Sequence, residues 1–285
     1  MTEAPMAEPE REPATDRARL VGAAYATPGP LAARRALYDY ERDPVDLATW
    51  VLDRVESHRP LSDHCRVVDI GCGPGRYLTA LRDRHPGITT IGLDLSHGMA
   101  TATRASGAPA GVADAMQLPL RSSSCDVAIA AHMLYHVPDI GLAAQELARI
   151  VDPTGVVAVV TNGRDHLAAL DALSRDAVAA VGGAPWTAPA RSAARFLLDD
   201  ASALVAPALR VIGLERFSRA IVVTDPAPLV AYIESEESLY EPAIPAGTTW
   251  NDVLGEVAAR VNATIARDGA FTVHSDVGVL FARAA

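Results

Sequence analysis

Lysine is missing from this chain; all 25 basic residues are arginine. That excludes a Schiff-base lysine, a phosphate-loop lysine and any Tyr-x-x-x-Lys pair. Aromatic residues are scarce, at 5%. Only three cysteines occur, Cys65, Cys72 and Cys125, with neither metal-ligand spacing nor a paired framework. They fit a reducing compartment, and no metal site is expected. No apolar run approaches the roughly 20 residues that span a bilayer. The first residues are acidic and proline-rich and hold no apolar signal core. A cytoplasmic location without a membrane partner is therefore expected. Excess positive charge is lacking too. The net charge of −10 argues against a nucleic-acid partner, because phosphate backbones require a basic surface.

What is present is a chain of 285 residues, 49% hydrophobic, enough for one large domain or a domain with a cap. It is organised around Arg66 to Met99. Val67-Val68-Asp69-Ile70 reads as a buried parallel strand. The glycine loop Gly71-Cys72-Gly73-Pro74-Gly75 follows, then a helix with Leu78 and Leu81 on its apolar face, stopped at Pro86-Gly87. A second strand, Thr90 to Leu93, ends at Asp94. Such a β-α-β unit holds a nucleotide-like ligand at the carboxyl ends of its strands. The loop N–H groups and the helix amino end are expected to make an anion site. Asp94 is spaced to bind a ribose diol. Asp69 suits a ligand bearing an ammonium group. Arg76 stands where a dinucleotide fingerprint has its third glycine, which disfavours that class.

Further along, Ser96 can cap a helix carrying Met99. Ala110-Gly111-Val112 is a short third strand, followed by Asp114-Ala115-Met116. Asp126 to Ala131 is a fourth strand and leads into His132, Tyr135 and His136. Asp139 caps a helix whose apolar face is expected to be Leu142, Leu147, Ile150 and Val151. Asp152-Pro153-Thr154-Gly155 turns into a fifth strand, Val156 to Thr161. The alternation predicts an α/β fold with a parallel sheet covered on both faces. Residues 1–18 read as a disordered tail, low in hydrophobicity and rich in Glu and Pro. Residues 31–56 read as helical, broken at Pro44.

Asp69-Ile70-Gly71-Cys72-Gly73-Pro74-Gly75 fits acidic-x-G-x-G-x-G at every position. With the later segments at matching places, residues 30–165 resemble the class I S-adenosylmethionine-dependent methyltransferases. The resemblance implies a Rossmann-like, doubly wound, seven-stranded, mostly parallel sheet whose last strand is antiparallel. It implies S-adenosylmethionine as cofactor, held by Asp69, Gly71, Cys72, Gly73, Gly75, Asp94, Leu95, Met99 and Ala131, with Asp114, Ala115 and Met116 at the adenine. It also implies an amino-terminal helical lid over residues 19–62, with Tyr25, Arg35, Tyr38 and Tyr40 as candidates and with Tyr25 and Arg35 against the cofactor. Residues 63–165 form the cofactor core. Residues 166–285 complete the sheet and carry a helical acceptor cap.

The implied activity is methyl transfer to a small-molecule acceptor, with a secondary metabolite or its precursor as the expected class. Candidate bases are His136, His132 and Tyr135, since histidine titrates near working pH; His166 and His274 are weaker candidates. Trp186, Phe196, Phe217, Tyr232, Tyr240 and Trp250 are candidate pocket aromatics, with Trp250 better read as core. A nicotinamide-dependent oxidoreductase and a non-catalytic cofactor-binding scaffold are the alternatives. A homodimer is left open.

Overall fold

The computed structural model describes residues 15–182, 192–237, 244 and 246–285. The tail through residue 14, Trp186 and Tyr240 lie outside the described residues. Arg17 and Ala18, read from the sequence as tail, lie in a helical turn. Asp16 caps a single turn, α1 (Arg17–Arg19), by accepting from the Arg19 N–H. A wider turn over Leu20–Ala24 follows, then α2 (Gly29–Ala36), a tight turn at Leu37–Tyr40, and α3 (Leu47–His58). Pro44 lies in the break between the two helical pieces, and Asp46 caps the second by accepting from the Thr49 N–H.

The core unit then runs β1 (Arg66–Ile70), α4 (Arg76–Arg84), β2 (Thr89–Asp94), α5 (His97–Ala105), β3 (Ala110–Val112), β4 (Cys125–Ala131), α6 (Ile140–Ile150) and β5 (Val151–Asn162). The caps are those read from the sequence. The Ser96 hydroxyl accepts from the Met99 N–H, and Asp139 accepts from the Leu142 N–H. One face differs. Leu142 is exposed, and α6 buries Ala143, Ala144, Leu147 and Ile150 instead, with Val151 opening β5. The Asp152–Gly155 turn is likewise absorbed into the start of β5. There Asp152 accepts from the Thr154 N–H, and the pairing with β4 shifts register between Cys125 and Val127.

The remaining elements are α7 (Ala168–Ala180), α8 (Leu198–Val205), β6 (Leu209–Val223), α9 (Ala227–Glu234), α10 (Trp250–Asp268) and β7 (Phe271–Ala284). The sheet has seven strands in the order β3-β2-β1-β4-β5-β7-β6. β1 to β5 pair in parallel, and β7 runs antiparallel to both its neighbours. Strand order reverses between β1 and β4, where an open α/β sheet offers its crevice. One buried cluster packs α6 and α8 on one face; a second packs α3 and α4 on the other. A third joins α7, α9 and α10 with Leu37 and the far ends of β6 and β7. Phe196 and Trp250 belong to these cores and not to a pocket, being 0% and 7% exposed.

Candidate active site

The carboxyl ends of β1, β2 and β4 open into a cavity of about 890 Å³. It is roofed by the amino-terminal segment and closed at one side by Tyr232 and Glu236 at the end of α9. Of the sequence-predicted residues, Tyr25, Arg35, Gly71, Cys72, Gly73, Asp94, Leu95, Met99, Asp114, Ala115, Met116, Ala131, His132, Tyr135 and His136 all line it. Asp69 and Gly75 do not. Gly75 instead takes φ +84° at the start of α4, where an added Cβ would press on Thr103. Tyr38, Phe217 and Tyr232 also line the cavity, whereas Tyr40 and His274 are exposed away from it.

The glycine loop is bonded inward, which takes its own N–H groups out of the expected anion site. The N–H groups of Gly71 and Cys72 both donate to the Leu93 carbonyl, at 2.7 and 3.2 Å. That of Gly73 donates to Asp94 Oδ2 at 2.9 Å, and that of Gly75 to the Cys72 carbonyl. Pro74 has no N–H to offer. The loop is thereby stitched to the end of β2, and its donors are spent on doing so. Gly71 is also needed for space, because at φ +68° a Cβ would stand 2.6 Å from that of Met133.

What faces the ligand space is carboxylate. Asp94 accepts from Gly73 and Ser96 N–H groups, and burial raises its pKa against those bonds. Asp114 accepts from the Met116 N–H at 2.9 Å and pairs with Arg17 at 2.8 Å. Beneath the loop, Asp69 is 1% exposed and neither carboxylate oxygen has a partner among the described residues. Burial first, then the Asp94 charge, push its pKa well above the ordinary carboxylate range. Such a site suits a neutral or cationic nucleoside far better than a polyphosphate. Cys72 is inert: burial, with Asp69 nearby, pushes its thiol up to about 12.

The candidate bases differ sharply. His132, with φ +54°, is held by its N–H on the Val160 carbonyl. Burial, with a smaller contribution from Arg76, pushes it down to about 4, so it is a weak proton acceptor. Tyr135 is driven well above its ordinary value by burial and stays a phenol. His136 Nε2 lies 2.8 Å from the Tyr25 hydroxyl, with the rings edge-on. His166 Nδ1 accepts from the Asp276 N–H, which puts its proton on Nε2, 3.1 Å from the Tyr38 hydroxyl.

Sequence reasoning missed four contributors. Arg195 binds the carbonyls of Tyr135, Val137 and Pro138 and so clamps the loop after β4. Asn162 ends β5 at the cavity, and Glu236 is 5% exposed at its wall. Arg34, next to the predicted Arg35, carries the buried guanidinium; Arg35 lies at the mouth beside Arg76 and Asp46. No local pattern separates two adjacent arginines. The face each occupies is set by how α2 docks.

Residues 68–159 match the model of the family described as methyltransferase domain. Over 104 residues the chain is 36% identical to the tRNA (carboxymethyluridine(34)-5-O)-methyltransferase of Mus musculus, covering 35% of this chain and 15% of that one. An uncharacterized methyltransferase of Mycobacterium bovis is 33% identical over 38% of this chain and 59% of its own. The trans-aconitate 2-methyltransferase of Azoarcus is 28% identical over 64% of this chain and 82% of its own. The chain thus spans 15% and 59% of the lengths of the first two relatives, less than two thirds of each. Among solved structures, a candidate methyltransferase of Bacillus halodurans superposes with a TM-score of 0.55 at 14% identity, over 81% of this chain and 97% of that one. This likeness is one of fold.

Proposed function

We propose, on the premise that the core of this chain is a class I S-adenosylmethionine-dependent methyltransferase domain, that the protein transfers a methyl group to a small-molecule acceptor. The observation that carries this reading is the acidic, inward-bonded nucleoside site. Asp94 and Asp114 face the cavity, the Asp69 carboxylate lies buried without a partner beneath it, and the loop's N–H groups are spent. That arrangement fits a cofactor bearing a sulfonium and an ammonium and disfavours the pyrophosphate of a nicotinamide dinucleotide, which would meet these carboxylates. When bound, S-adenosylmethionine supplies a methyl group already activated by its sulfonium leaving group.

The chain's residues then bind, orient and exclude water. Asp94 would accept from the ribose hydroxyls. Asp114 would accept from the adenine amine, with Ala115, Met116, Leu95 and Met99 around the base. Gly71, Gly73, Cys72 and Ala131 would bound the methionyl part, with Asp69 balancing its charge from below. Residues 19–62 would act as the lid, bringing Tyr25 and Arg35 over the cofactor, and residues 166–285 would supply the acceptor cap. Well-oriented positioning of this kind contributes roughly 7–11 kcal/mol in favourable systems. Where the acceptor must lose a proton, His136 is the better base, because the depressed His132 and the phenolic Tyr135 accept poorly.

A small acceptor is supported by the net charge of −10 and by the enclosure of the cavity by tyrosines and α9. The named relatives act on a tRNA in one case and on trans-aconitate in another. Among the described residues no helix is long and apolar enough to cross a membrane. Calorimetry with S-adenosylmethionine, S-adenosylhomocysteine and NADH tests the cofactor, and binding of NADH alone would reject it. Labelled methyl transfer into the small-molecule or the RNA fraction of an extract tests the acceptor class. Cofactor binding without transfer to any fraction would favour a non-catalytic scaffold.

A further inference from the structure

Three other arginines show how this chain grips carboxylates. Arg216, Arg149 and Arg267 each present the same edge of the guanidinium, Nε and Nη2, to Asp276, Glu146 and Asp268. This two-pronged edge matches the two oxygens of a carboxylate. In Arg34 the same two atoms, Nε and Nη2, are buried and have no hydrogen-bond partner among the described residues. Arg34 lines the cavity with its guanidinium carbon 5.3 Å from the centre of the Tyr25 ring. Tyr25, Tyr135, Tyr232 and Glu236 are the groups that act on its charge. Glu236 is near enough to favour the cation but makes no salt bridge with it.

Burying Nε and Nη2 without hydrogen-bond partners costs free energy that a docked anion recovers. We propose that Arg34 is the specificity residue of the acceptor pocket and that the acceptor carries a carboxylate, gripped by Nε and Nη2 of Arg34. This rests on the methyltransferase reading. The carboxylate is the handle and not the methylated atom, since its lone pairs face the guanidinium. A phosphate is disfavoured because a second negative charge would meet Glu236 with one guanidinium to neutralise it. Since the Tyr25 ring screens the edge, binding requires Tyr25 to move.

The test is calorimetry on the full chain saturated with S-adenosylhomocysteine. The probes are benzoate, phenylacetate, succinate and adipate, their primary amides, and benzylphosphonate. At least one carboxylate is expected to bind about tenfold or more tighter than its amide, as for a hydrogen bond to a charged group. Arg34→Met abolishes that preference and Arg34→Lys retains part of it, the carboxylate and its amide being compared within each S-adenosylhomocysteine-saturated variant. Should Arg34→Met fail to fold, the Nε–H resonance of Arg34 in the wild type, assigned by its loss in Arg34→Lys, is expected to move on adding the carboxylate. No carboxylate preference in the wild type, a preference that survives Arg34→Met, a stationary Nε–H resonance, or tighter binding of the phosphonate would each overturn the assignment. Failure of the wild type to bind S-adenosylhomocysteine would instead bring down the methyltransferase reading beneath it.

Discussion

The hydroxyl of Tyr25 and Nε2 of His136 lie 2.8 Å apart and join the amino-terminal segment to the loop after β4. These residues are 111 positions apart in sequence. The bond brings a roof residue onto the leading base candidate, and the Tyr25 carbonyl accepts from Ser96 Oγ on the cofactor side.

Tyr25→Phe removes this bond and is expected to cost about 1 kcal/mol of stability. It should also weaken S-adenosylhomocysteine binding severalfold. Combined with His136→Gln, the losses should be less than additive, because both changes break one contact. Urea unfolding and calorimetry on the four proteins of the cycle measure this. Strict additivity would mean that the two rings do not work together.

Asp69→Asn should separate stability from binding. In the folded chain the Asp69 pKa stands above its unfolded value, because burial penalises the anion. Its contribution is therefore most favourable at low pH and is lost as pH rises through the folded pKa. At pH 7 the variant should gain on the order of 1 kcal/mol, a rise of about 2 °C in Tm for a chain of this size. It should bind S-adenosylmethionine about tenfold more weakly. A variant both less stable and equally tight would contradict this account.

His132 works in the opposite sense. Its folded value of about 4 lies below the ordinary 6.5, so the unfolded chain takes up a proton that the folded chain refuses. Stability is complete above about pH 6.5 and falls towards pH 4, by at most about 3 kcal/mol. His132→Gln should flatten that slope, as read from denaturant midpoints across this range. Methyl transfer should show no ionisation from His132 between pH 6 and 8.

Gly71→Ala forces a methyl group against Met133 Cβ at a positive φ. Strain of about 1–3 kcal/mol is expected. Because the Gly71 N–H is bonded to Leu93, the loop should shift and cofactor affinity should fall by more than tenfold. Gly182→Ala, also at positive φ but with open space around it, controls for strain alone and should leave binding unchanged.

Three features were legible from residue order alone: the β-α-β succession, the caps at Ser96 and Asp139, and Asp94 at the carboxyl end of β2. Each of these depends on neighbours within one or two turns of chain. Periodicity and spacing carry that information directly, which is why Asp94 could be placed without coordinates, whereas Asp114 was placed only by the family resemblance. Tertiary structure decided the rest. It turned the loop donors inward onto Leu93 and Asp94, drew Phe196 into a core, exposed Leu142, and buried Nε and Nη2 of Arg34. These outcomes depend on which face of one element meets another far away in the chain. A side chain's burial, its pKa and its partners follow from that meeting, and no local pattern in the sequence encodes it.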